Sequence, residues 1–187
     1  MRIISGKFKG RRLVAPEGRD IRPTADRARE SVFNILTHAA FAPEIEGASV
    51  IDVFAGTGAL GLEALSRGAT PVTFIDIDDV ARATILKNAG SMGQARAVTV
   101  LRLDATKMPP PPRIAECPAK LAFLDAPYDQ DSTGPALLSL LAKGWVGAGS
   151  LCVVETPAAR PFDPPRGFAL EEQRTYGKAL VSFLSVN

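Results

Sequence analysis

The chain predicts an α/β fold: a doubly wound, mostly parallel sheet with helices on both of its faces. Short apolar runs alternate with helix-like stretches between residues 49 and 154. A glycine-rich turn, Gly56-Thr57-Gly58-Ala59-Leu60-Gly61, follows the first of those runs. Aspartates sit within or just after four of them. Together these point to a sheet whose carboxyl edge carries the chemistry.

In chain order, Arg2 to Val14 holds two β-prone pieces around Gly6 and Gly10 and reads as a basic hairpin or arm, which Pro16 and Gly18 then break. Thr24 is a suitable N-cap, and Ala28, Val32, Phe33, Ile35 and Leu36 form an apolar stripe, so residues 24–41 are expected to be an amphipathic helix. Its polar face carries Arg27, Glu30 and Asn34. Strands follow at 49–54, 70–77, 97–103, 119–124 and 149–154. Between them lie helices running to about Arg67, to about Ser91 and over about 134–143. The prolines at 109–112 make a surface loop. Finally, 168–175 and 178–186 flank Tyr176-Gly177 as an antiparallel hairpin that closes the sheet. The organisation is one domain overall, with a basic N-terminal arm over 1–23 and the α/β body over 24–187.

A length of 187 residues suits one substantial core. Hydrophobic content of 46% with 22% charged residues is that of a globular protein, and no stretch has the apolar length of a membrane span. No secretory signal opens the chain, so the expected compartment is the cytoplasm. Cys117 and Cys152 are far apart and His38 is the single histidine, which supports neither a disulfide framework nor a metal site. Both cysteines read as packing residues, and the histidine as a helix-end residue. The net charge of +2 hides an asymmetry: residues 1–30 carry nine basic and four acidic side chains, and the remainder is net acidic. A polyanion would therefore be met at the front of the chain.

Two groups of residues carry the expected chemistry. The first is Asp125-Ala126-Pro127-Tyr128, after the apolar run Leu121 to Leu124. A carboxylate, a stiffened turn and an aromatic ring suit a planar substrate with an exocyclic amine, which a nucleobase provides. The second is the G-x-G-x-x-G spacing with Asp52 four residues ahead of its first glycine. There a carboxylate is awkward beside a pyrophosphate and useful beside an ammonium. Asp76, Asp104 and Asp125 follow at intervals of 24, 28 and 21 residues, and aspartate is depleted in strands. Taken singly each fits a cap or turn; together they fit a ligand. S-adenosylmethionine matches them, with an ammonium for Asp52, ribose hydroxyls for Asp76 and an adenine amine for Asp104.

With Arg22-Pro23-Thr24-Ala25-Asp26-Arg27-Ala28-Arg29-Glu30-Ser31-Val32-Phe33-Asn34, Asp52 to Gly68, and Asp125 to Tyr128, the chain resembles the RsmD-type methyltransferases over roughly residues 2–155. That family methylates the N2 amine of a guanine in 16S ribosomal RNA. The resemblance implies a Rossmann-like class I S-adenosylmethionine-dependent fold with a seven-stranded sheet. It also implies that Asp52 and the Ala55–Gly58 backbone hold the methionine part of the cofactor, Asp76 the ribose and Asp104 the adenine. Phe54, Gly56, Thr57, Gly61 and Ile77 complete the cofactor set. Asp125, Ala126, Pro127 and Tyr128 would be catalytic, with Ala126 standing where the family usually has proline.

A base in structured RNA is reached when it is unpaired or swung out. Lys7, Lys9, Arg11, Arg12, Arg22 and Arg27 are the candidates to grip neighbouring phosphates. The expected partner is 16S ribosomal RNA or the small subunit, with no membrane and no metal, and a monomer as the expected state. An adenine-N6 methyltransferase makes the same geometric demand. An NAD-dependent oxidoreductase rests on the glycine spacing and Asp76 alone. A cofactor-free RNA-binding module leaves the four aspartates unexplained.

Overall fold

The computed structural model describes residues 1–15, 23–127 and 132–187, with side chains from Asp26 onward in the first helix. Its centre is a strand pair in which β1 (Val50–Val53) lies parallel to β4 (Leu121–Asp125), with Val50 opposite Leu121. On the other side of β1 come β2 (Val72–Ile75) and then β3 (Val98–Leu101), both parallel to it. Beyond β4 lie β5 (Leu151–Pro157), parallel, and the antiparallel pair β7 (Ala179–Val186) and β6 (Phe168–Tyr176). The seven strands therefore run β3-β2-β1-β4-β5-β7-β6. The order reverses at β1, and in open sheets of this kind ligands bind at that point, outside the carboxyl ends of the parallel strands.

Period-two alternation divides the core into two layers. Val50, Phe123, Leu151, Val153 and Phe183 face one layer. That layer also takes Val32, Phe33 and Leu36 from α1 (Pro23–His38), Leu62 from α2 (Ala59–Ser66) and Ile85 from α3 (Asp79–Ser91). Ile51, Val53, Leu124, Cys152 and Val154 face the other, under Ala136, Leu137 and Leu140 of α4 (Thr133–Ala142). Trp145 is fully buried there, its indole N–H donated to the Pro109 carbonyl at 2.6 Å.

The observed elements depart from the expected ones mainly at their ends. The first helix starts at Pro23 and stops at His38, so Thr24 falls inside its first turn and is not its cap. Proline suits that first position because its missing N–H would have no partner within the helix. The polar face is as expected, with Arg27, Glu30 and Asn34 all exposed. β1 to β4 are shorter than the apolar runs that predicted them, whereas β5 runs past its expected end at Val154 to Pro157.

The N-terminal segment is a docked ribbon. Arg2 bridges to Arg12 in antiparallel fashion, and Ile3 and Leu13 are buried in the first core layer. The fully buried Glu63 of α2 accepts the Ile4 and Ser5 N–H groups at 2.7 and 3.0 Å, and also pairs with Arg67 at 2.9 Å. Ser66 accepts the Phe8 N–H and donates to the Ser5 carbonyl. Gly6 has φ +77°, and a Cβ there would come within 1.9 Å of the Ser66 carbonyl oxygen. Such an approach leaves room for glycine only. The pinned backbone directs Lys7, Lys9, Arg11 and Arg12 outward, and all four are exposed.

Candidate active site at the carboxyl edge of the sheet

The sheet order sets four carboxylates along one edge in the sequence Asp104, Asp76, Asp52, Asp125, which is the order β3-β2-β1-β4. Asp52 is the third residue of β1, on the face shared with Val50, so it points beneath the start of α2. Its Oδ2 accepts the Gly61 N–H at 2.8 Å, which satisfies one of the free donors of the helix's first turn. Gly61 is required there: a Cβ would lie 2.4 Å from the buried Phe74 ring and 3.0 Å from the Asp52 Cβ. Burial pushes the Asp52 carboxyl well above its ordinary value; the Gly61 bond opposes this, and the charges of Asp125 and Asp76 add to it.

Between Asp52 and Gly61 the backbone turns sharply. Phe54 has φ +58°, an uncommon conformation for a residue with a side chain, and Gly56 and Gly58 have φ +56° and +77°. A non-glycine residue held there costs on the order of 1–2 kcal/mol, so the surrounding structure must impose it. Part of that imposition is visible. Asp76, one residue beyond β2, accepts the Gly56 N–H on Oδ2 at 2.8 Å and the Asp78 N–H on Oδ1 at 2.9 Å. The amide of the fully buried Asn88 donates to the Thr57 and Val14 carbonyls and accepts the Val14 N–H, tying the turn to the N-terminal ribbon. Thr57 also meets the Met1 sulfur at 3.8 Å. Next to Asp76, Ile77 is 62% exposed, an apolar side chain set open beside the acidic row.

Asp104 lies three residues beyond β3 and caps a 3-10 turn over Ala105–Lys107. Its Oδ1 accepts both the backbone N–H and the hydroxyl of Thr106, at 2.9 and 2.7 Å. Those two bonds hold its carboxyl below the ordinary range.

Asp125 closes β4 and is exposed, whereas Ala126 is buried and Pro127 exposed. Alternation places Asp125 on the same face as Asp52, one step nearer the edge. A cleft of about 220 Å³ opens beside it, lined by Ala126, Pro127, the first residues of α4, the end of β5 and the segment 160–163. Tyr128 and Arg22, expected at the base site and in the phosphate grip, lie outside the described residues. Neither Glu63 nor Asn88 was singled out from sequence, although a glutamate on the apolar stretch Leu60 to Leu65 is a recoverable signal. The two cysteines are free, and burial pushes Cys117 up to about 11 and Cys152 to about 12, which makes both poor nucleophiles.

A seven-stranded sheet with its last pair antiparallel, a strained glycine turn after β1 and an acidic row across the switch point define a class I S-adenosylmethionine-dependent methyltransferase. The chain belongs to the family described as Conserved hypothetical protein 95, matched over residues 1–185, which is the family of the ribosomal RNA small subunit methyltransferases D. It is 33% identical to Ribosomal RNA small subunit methyltransferase D of Haemophilus influenzae, covering 98% of this chain and 91% of that protein. Identity is also 33% to the Escherichia coli K12 protein of that name, over 95% and 86%. The solved Escherichia coli protein yhhF superposes with a TM-score of 0.81 at 29% identity, covering 100% of this chain and 98% of that one. A magnesium protoporphyrin IX methyltransferase from Synechocystis, solved with S-adenosylmethionine bound, shares the fold at TM-score 0.67 and 13% identity, over 90% and 82%.

Proposed function

We propose that this protein methylates the N2 amine of a guanine in the 16S ribosomal RNA of the small subunit. The observation that carries the reading is the position of Asp125, an exposed carboxylate on the same sheet face as Asp52 and one strand away from the glycine turn.

The edge fits a cationic ligand. Asp52 is a buried carboxyl flanked by two further carboxylates, so a nearby ammonium favours its ionised form and relieves that repulsion. Asp52 with the Ala55–Gly58 backbone and Gly61 hold the methionine portion, Asp76 the ribose hydroxyls, and Ile77 and Asp104 the adenine. Phe54 and Thr57 shape the turn between them. When bound, S-adenosylmethionine supplies a methyl group on a good leaving group, the sulfonium.

Asp125 and the Ala126 carbonyl then act on the nucleophile. The N2 lone pair of guanine is delocalised into the ring, and acceptors on its N–H bonds favour the pyramidal nitrogen that forms as the N–C bond is made. This stabilises the transition state more than the ground state. The nitrogen sheds one proton, which Asp125 takes and, being exposed, passes to solvent. Pro127 keeps Ala126 out of the helical region, so the carbonyl stays available without the family's usual proline. Tyr128 stacks on the base.

Lys7, Lys9, Arg11 and Arg12 on the docked ribbon, with the exposed Arg27 of α1 and with Arg22, grip phosphates around the target, in the cytoplasm where ribosomes assemble. The test is transfer of labelled methyl to naked RNA, assembled small subunits and DNA, followed by mapping of the modified base. Label on guanine N2 of 16S RNA is expected. Label confined to DNA, or on adenine N6, would overturn the reading.

A further inference from the structure

Resting on that reading, we propose that Glu155, with Arg160, is the guanine-selecting element of the base pocket. Parallel pairing of β4 and β5 sets Asp125 opposite Glu155. Leu151 and Val153 share a sheet face with Phe123, so the same alternation brings both side chains to one face, from backbones one strand spacing of about 4.8 Å apart. Glu155 lines the 220 Å³ cleft together with Ala126 and Pro127, the two residues that follow Asp125. Arg160 and the half-buried Phe162 line the same cleft.

These groups match guanine and mismatch adenine. Guanine presents adjacent donors, N2–H and N1–H, followed along the ring by the acceptor O6. A carboxylate pair is a matching acceptor array: Asp125 takes N2–H, where the methyl is to be attached, and Glu155 takes N1–H. Arg160 donates to O6, a pairing that arginine makes readily with this base, while Phe162 contributes an apolar wall. Adenine has an acceptor at N1, which would face the Glu155 carboxylate with no proton between them. Such a buried mismatch selects more strongly than a lost contact does.

The test uses small subunits carrying at the mapped position either guanine or 2-aminopurine, which keeps the reacting amine and lacks both N1–H and O6. The wild-type protein should favour guanine in kcat/KM by about 10- to 100-fold. Glu155→Ala should remove most of that preference, by slowing guanine and by relieving the mismatch at N1 of 2-aminopurine, with S-adenosylmethionine affinity unchanged by calorimetry. Glu155→Gln should recover part of it, since its carbonyl still accepts N1–H. Arg160→Ala should give a smaller loss in the same direction. Equal slowing of both substrates by Glu155→Ala, or an undiminished preference, would overturn the inference while leaving guanine methylation standing. Absence of any N2 transfer by the wild-type protein would overturn both.

Discussion

The carboxyl edge of the sheet has two halves that are held in place differently. On the β1–β3 side each carboxylate is tied to a backbone N–H of a nearby loop or helix start: Asp52 to Gly61, Asp76 to Gly56 and Asp78, Asp104 to Thr106. On the β4–β5 side Asp125 and Glu155 meet through strand pairing, and the cleft beside them is completed by α4 and by residues 160–163. The first half is preorganised before any ligand arrives, at the expense of a left-handed Phe54 and a carboxyl buried against its preference. The second leaves the Asp125 side chain exposed at the surface, which suits the proposed approach of a large polymer and the proposed release of a proton. In the one half a hydrogen bond to nearby backbone fixes each carboxylate, whereas the other depends on the pairing of two strands.

The comparison breaks most visibly at Asp125. Asp125→Ala should lower methyl transfer by about 10³-fold or more while S-adenosylmethionine affinity stays within about threefold, because removing a transition-state partner costs catalysis and spares a ligand held by the other half. Single-turnover transfer together with calorimetry separates the two. A parallel loss of cofactor binding would show that the halves are not independent.

Asp52 offers the intermediate test. Its carboxyl is raised in the folded protein, so the stability it contributes is fully present below its unfolded value of about 3.9 and is lost as pH rises through the elevated folded value. Asp52→Asn should flatten that slope in thermal unfolding of the ligand-free protein, since the amide oxygen still accepts the Gly61 N–H. Binding of a cation should drive Asp52 to ionise. Titration of the wild-type protein with S-adenosylmethionine in buffers of different ionisation enthalpy should then show release approaching about one proton as pH is lowered, and almost none for Asp52→Asn. Proton uptake would contradict an ammonium at this carboxyl.

The same division explains what the sequence reveals. Asp52 and the glycine spacing are legible because a strand, a turn and a helix start in immediate succession place them by local geometry alone, and Asp76 because it ends the next apolar run. The parallel winding of the sheet and its antiparallel end are legible too, since alternating apolar runs leave few ways to wind a parallel sheet. Glu155 is not, because its neighbour Asp125 is thirty residues away, and the apolar run that marks β5 ends at Val154, one residue short of it. The N-terminal ribbon shows both cases. Gly6, Gly10 and the basic residues announce a hairpin, but its anchorage by Glu63 depends on a helix more than fifty residues downstream. Glycines and charge pattern give a basic hairpin or arm, and hydrogen bonds to Glu63 and Ser66 hold it against the core.

Asp104 gives the smallest and most discriminating effect, because its cap of the turn and its proposed hold on adenine would use different oxygens. Both Thr106 bonds fall on Oδ1, so Oδ2 remains an acceptor for an adenine amine even while the turn is capped. Asn in its place keeps an oxygen for Thr106 and turns an N–H₂ group toward the ligand, replacing attraction with donor–donor repulsion. Asp104→Asn should therefore weaken S-adenosylmethionine binding by about 3- to 10-fold and move the unfolding midpoint little. Asp104→Ala should weaken binding to a similar degree and also lower the midpoint, because the cap is lost as well. If Asn binds the cofactor as well as Asp does, the residue is a turn cap and adenine is held by Ile77 and the backbone alone. The lowered Asp104 carboxyl adds a check opposite in sign to that at Asp52: its contribution to stability is present above the unfolded value and is lost as pH falls through the folded one. Acid unfolding should therefore lose part of its slope in Asp104→Ala, while the effect of Asp52→Asn appears on the rising side of the profile.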